Sequence, residues 1–190
     1  MSGTVVSYWR PYLPEPSPAV VEPGEPEPVP LAVLREARRL CAAFRVPPRQ
    51  FRRRTATGDR GAYYPATDIV AVDVERAGWD GMGGDDGYYA MLLHELVHAT
   101  GHRSRLGRAT IGDFSRAGSD LEEGTTLAAL RIVLREIGFS GEALEWHAPK
   151  EHGFPVDRKA ADRAAAWLLT SSADGDDRSI ASDSEQLLLL

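Results

Sequence analysis

The run His94-Glu95-Leu96-Val97-His98 constrains the chain more than any other feature. It continues from Tyr88-Tyr89-Ala90-Met91-Leu92-Leu93, a strongly helix-compatible approach, after a Gly/Asp-rich loop over residues 81–87. A helix should begin there, capped by Asp85 or Asp86, and end near Gly101. Leu92, Leu93, Leu96 and Val97 would anchor it in the core. Residues four apart share one helical face, so the rings of His94 and His98 converge.

Two imidazoles one turn apart can reach a single metal ion. Glu95, one residue past His94, leans to the adjacent face, where it can reach a water on the metal without being a ligand. Zinc lowers the pKa of a bound water from ~15.7 to ~7, so a hydroxide-like nucleophile exists at neutral pH. Glu95 would accept the water's proton and pass it to the leaving amine. Tetrahedral zinc needs a third protein ligand, with the fourth position open. His102 lies four residues past His98, but Gly101 intervenes, and three consecutive ligands at that spacing surround an ion poorly. His102 is better read as a cap or a donor behind the ligands. A later histidine after a glycine turn is excluded, because Ser104 holds that place. Glu122 and Glu123 remain, both on the next apolar helix, with Glu123 preferred. Both could instead be helix-start acids favoured by the helix dipole, with Asp120 as N-cap.

Around this centre the chain reads as helix, small sheet, then three helices, an α+β arrangement. Leu31, Leu34, Ala37, Leu40, Cys41 and Phe44 form one helical face that Pro47 and Pro48 terminate. Residues 62–74 read as a hairpin turning at Pro65 to Asp68. Leu121 to Ile137 and Asp157 to Leu169 are the remaining helices. Residues 1–30, with eight prolines from Pro11 to Pro30, are expected to be a disordered Pro/Glu-rich arm. Residues 171–190 are expected to be a disordered Ser/Asp-rich tail. One domain over 31–170 lies between them.

Composition narrows the function classes. Lys+Arg 22 against Asp+Glu 28 gives a net charge of -6, which argues against a dedicated nucleic-acid binder. A single cysteine, Cys41, rules out an intrachain disulfide and a Cys-rich zinc module, and suits a reducing, cytoplasmic setting. No apolar run is long enough for a membrane span, and the first residues lack a signal-peptide pattern. Arg35, Arg38, Arg39, Arg45, Arg49, Arg52, Arg53, Arg54 and Arg60 form a basic stretch that would suit phosphate contacts or simply a solvated face.

Three segments together resemble a known family: Ala62-Tyr63-Tyr64-Pro65-Ala66-Thr67-Asp68-Ile69-Val70, then Tyr88-Tyr89-Ala90, then His94 through Leu106. They are similar to the zincin-like metallopeptidase domain of ArdC-type antirestriction proteins. The resemblance covers roughly residues 31–170. It implies a zincin-like fold with the His-Glu-x-x-His motif on a central active-site helix. It also implies a gluzincin-like site with His94, His98 and Glu123 as zinc ligands and Glu95 as base. Plasmid or phage biology is part of the same implication, as is an N-terminal single-stranded-DNA-binding domain that residues 1–30 cannot replace. The family usually continues Glu-Glu-Leu-Val-Ala-Glu, whereas this chain reads Glu122-Glu123-Gly124-Thr125-Thr126-Leu127. Leu127 thus stands where an acid behind a ligand histidine is expected.

The expected protein is a small zinc metallopeptidase acting on a peptide or protein substrate, with no membrane partner. A tyrosine among Tyr63, Tyr64, Tyr88 and Tyr89 could stabilise an oxyanion, and His147 and His152 are expected in a surface loop. A strand near Ile69 to Val72 could pair with an extended substrate. The alternatives are a non-catalytic, metal-stabilised protein that blocks a defence enzyme, and a nucleic-acid-associated module using the arginine stretch.

Overall fold

A computed structural model describes residues 29–44, 61–72, 85–148 and 153–173. Five helices and one hairpin follow in the order α1 (Leu31–Ala42), β1 (Gly61–Tyr64), β2 (Ile69–Val72), α2 (Asp85–Thr100), α3 (Arg116–Glu136), α4 (Gly141–His147) and α5 (Arg158–Ala173). This is the expected α+β class. The arm and the tail lie outside the described residues, except that Val29 is buried, Pro30 starts α1 and α5 runs on to Ala173.

The centre is α2. Tyr88 through Leu93, Leu96, Val97, Ala99 and Thr100 are all buried, as are His94 and Glu95. A helix apolar on every side must be surrounded, and α2 packs against every other described element. The α1 face closes one side through Leu34, Ala37, Leu40 and Cys41, and burial pushes the Cys41 thiol pKa up. Phe44 meets Trp167 of α5 edge-on at 5.3 Å.

The hairpin pairs antiparallel, with Gly61 opposite Val72 and Tyr64 opposite Ile69. Asp68 closes its turn at φ 52, a left-handed conformation that Asp tolerates better than most residues. Val70, Ala71 and Val72 are buried, whereas all four β1 residues are half-buried.

Several boundaries differ from expectation. Helix α3 begins at Arg116, five residues early, because Ser115 caps it by accepting from the Gly118 amide at 3.1 Å. Asp120 therefore lies inside the helix rather than at its cap. Asp86 likewise sits within the first turn of α2, where His147 Nε2 meets its carboxylate at 3.1 Å. His147 belongs to α4 and is buried, with its ring edge-on to Phe139, so the expected surface loop is wrong at that residue. His152 lies outside the described residues.

Candidate metal centre

His94 and His98 project from α2, and Glu122 and Glu123 from α3, whose second turn runs beside them. The Nε2 atoms of the two histidines lie 3.2 Å apart. Glu123 Oε1 is 3.7 Å from His94 Nε2, and its Oε2 is 3.4 Å from His98 Nε2. Zinc–ligand bonds of ~2.0–2.1 Å place two donors on a tetrahedron about 3.3 Å apart. The three separations, taken to whichever Glu123 oxygen is nearer each ring, lie near that edge length. One donor atom from each of His94, His98 and Glu123 fits within 4.8 Å of the others, the group among the described residues able to hold an ion. A nitrogen–nitrogen–carboxylate donor set is the chemistry zinc takes.

Glu122 is placed differently. Its Oε1 lies 3.1 Å from His98 Nδ1, on the far side of the ring from Nε2. It therefore cannot share an ion with that Nε2. Arg108 grips the same carboxylate through Nε, at 3.1 Å, and Nη2. Thr110 and Thr126 donate to it as well, Thr126 at 3.2 Å. Leu127 is buried in the core, so the position expected to carry an acid contributes packing, and the carboxylate beside His98 Nδ1 is Glu122.

Charge follows these contacts. Burial, only partly countered by Glu123, pushes His94 down to about 4, so the ring is neutral at neutral pH. Burial disfavours charge on His98 too, but hydrogen bonds to Glu122 and Glu123 win and raise it to about 10. Glu122 and Glu123 both fall to about 2 despite burial, held ionised by His98, with Arg108 adding to the effect on Glu122.

Glu95 is buried and lines a cleft of about 690 Å³ together with His94, His98 and Glu123. Gly61, Ala62 and Tyr63 of β1 form one wall of that cleft, and the 110–114 loop, with Phe114 85% exposed, forms another. The strand at the cleft is therefore β1, not the expected β2, whose side chains turn into the core.

His102 is not part of the donor group. Its Nδ1 bonds Ser104 Oγ at 2.8 Å and lies 3.9 Å from Asp68. Tyr88 and Tyr89 are buried core residues, in contact edge-on. Tyr63 reaches the cleft, but its hydroxyl donates to Asp68 at 2.8 Å. Of the basic stretch, Arg35, Arg38 and Arg39 lie on α1, with Arg39 paired to Glu36; the remainder falls outside the described residues.

Residues 48–149, more than half of the chain, match the zincin-like metallopeptidase family (MPTase-PolyVal). The chain belongs to this family. Its zincin-like fold and the expected zincin-like metallopeptidase domain are thereby borne out. Among curated relatives, a DNA primase TraC of Escherichia coli is 39% identical over 123 residues, covering 64% of this chain and 8% of the primase. A second Escherichia coli DNA primase TraC is 32% identical over 120 residues, 62% of this chain and 10% of that protein. The uncharacterized protein y4eC of Sinorhizobium fredii is 31% identical over 115 residues, 60% of this chain and 34% of its own length. The chain thus spans about a third or less of each. No solved structure matches it.

Sequence reasoning missed three features of the candidate site, two of them without any signal in the local pattern. Arg108 is a buried arginine in a loop, fourteen residues from the acid it serves. Gly61 approaches Glu95 from a different element. Thr126 was closer to reach, since it lies one helical turn past Glu122 and so on the same face.

Proposed function

We propose that this zincin domain is a zinc metallopeptidase that hydrolyses peptide bonds, with His94, His98 and Glu123 as ligands and Glu95 as the general acid/base. The observation that supports it most is the set of three donors at tetrahedral spacing, with the Glu95 carboxylate in the same cleft. Burial keeps the His94 ring neutral, leaving a lone pair for coordination at neutral pH, whereas His98, raised to about 10, must release its Nε2 proton as an ion binds. Glu95 takes the proton of an attacking water and delivers it to the departing amine. A bound zinc ion supplies Lewis acidity toward that water and the scissile carbonyl. β1 offers backbone groups along the cleft to an extended peptide, the β-addition mode of recognition.

The substrate is a peptide or protein, and the setting is a mobile element, in keeping with the resemblance to ArdC-type antirestriction proteins. The place of action is the cytoplasm, in keeping with the reducing setting that the single cysteine, Cys41, suits. Priming is not assigned to this chain, which spans only 8% and 10% of the two primases.

Glu95→Gln tests catalysis. The wild type should cleave a quenched-fluorescence peptide library, and the variant should lose ~10²–10⁴-fold in rate with equal zinc content. A wild type that cleaves no peptide, or a variant that keeps its biological activity, would favour the binding-only reading, whereas a variant that cleaves as fast as wild type would remove Glu95 as the base. The names of the primase relatives favour a second reading, a nucleic-acid-associated module. Salt-sensitive retention on single-stranded DNA would support it.

A further inference from the structure

His98 is held from both sides. Its Nε2 faces His94 and Glu123, while its Nδ1 lies 3.1 Å from Glu122 Oε1 and 3.2 Å from Thr126 Oγ1. Glu122 is itself only 6% exposed, and it is anchored to the helix that carries His98. Arg108 makes that anchor. Its guanidinium forks onto Glu122, and it also donates to Thr100 Oγ1 at 2.7 Å and to the Val97 carbonyl at 2.9 Å in the last turn of α2. The carboxylate on α3 and the ring on α2 are therefore fixed in one frame by a buried, doubly hydrogen-bonded ion pair.

An imidazole that donates Nδ1–H to a carboxylate is locked in the tautomer that presents an Nε2 lone pair, and its orientation is set. Leu127 stands where the ArdC-type pattern places an acid, and it packs in the core. We propose that Glu122, clamped by Arg108 and Thr126, is the positioning residue that aims His98 at the metal and replaces the acid missing at position 127. Glu122 is thus a partner of a ligand and not a ligand. This rests on the reading of His94, His98 and Glu123 as a zinc site.

Zinc affinity, measured by competition with a chromophoric chelator on the folded full chain, tests the assignment. Glu122→Gln should still take up one zinc at saturation but bind it roughly 10–100-fold more weakly. The His98 Nδ1 proton resonance of the zinc-loaded protein should shift. A purely structural Glu122 would lower the melting temperature of the metal-free variant and leave both readouts unmoved, which would overturn the proposal while the zinc reading stands. Thr126→Val keeps the Glu122–Arg108 pair and serves if Glu122→Gln does not fold. It should show a smaller loss of affinity in the same direction, and an affinity equal to wild type would again overturn the proposal. A wild type that binds no zinc would overturn the zinc reading and this role with it.

Discussion

Glu95 occupies a space that only glycine leaves open. A Cβ at Gly61 would lie 2.7 Å from Glu95 Oε1 and 2.8 Å from Met91 Sδ, closer than such atoms approach. Gly61→Ala must therefore displace the carboxylate or shift the strand. A displacement near 1 Å can cost on the order of 100-fold in rate, so peptide hydrolysis should fall by about that factor while zinc content holds. Unchanged turnover would show that Glu95 is not confined by β1. The motif told which side chains could bind metal and which could carry protons, because both follow from spacing on one helix. It could not separate Glu122 from Glu123, since adjacent helical residues differ by only 100° and the answer depends on where α2 lies. Arg108 was invisible for another reason: its burial is created by tertiary contacts with Val97, Thr100 and Glu122.

Among the elements, the hairpin and the loop after α2 are fastened by one arginine. Arg105 donates to both oxygens of Asp68 and to the Ala99 carbonyl, lies 3.4 Å from the Tyr63 hydroxyl, and stacks 5.7 Å from the centre of the Phe44 ring. The motif Tyr63-x-x-x-x-Asp68 and the distant Arg105 are thus parts of one clamp, which sets β1 against the cleft. Burial alone would raise the Asp68 pKa, but the Arg105 and Tyr63 hydrogen bonds outweigh it and hold the group below its ordinary 3.8. A depressed carboxylate contributes stability that is complete above its unfolded pKa and fades as pH falls through the folded value. Wild type should therefore exceed Asp68→Asn in melting temperature at neutral pH, and the gap should close on acidification below 3.8. A gap independent of pH would contradict the ion-pair account. The hairpin itself was legible from alternating β-branched and aromatic runs around Pro65 to Asp68. Helix α4 was not, because seven residues carry too little periodicity to separate a helix from a loop.

At the scale of the whole molecule, the core and the candidate site share α2. Gly124 shows how α3, packed beside α2, takes in the segment that leads into α5: Pro155 O would lie 2.3 Å from a Cβ there, and the Asp157 amide donates to Thr125 Oγ1 at 3.1 Å. The Gly-Thr-Thr departure from the family pattern thus seats the segment leading into α5 and, through Thr126, reaches the site. Because the donors come from two helices packed in one core, an ion that binds only the folded chain should stabilise it, by ~2.7 kcal/mol at a hundredfold excess over Kd. Zinc should raise the melting temperature of wild type and leave that of His98→Ala unchanged. The most direct measurement is metal content by mass spectrometry on purified, folded wild type beside His98→Ala and Glu123→Ala. The account predicts one zinc per wild-type chain and a clear deficit in both variants. A folded wild type without stoichiometric metal, or a Glu123→Ala variant that retains it in full, would contradict the account.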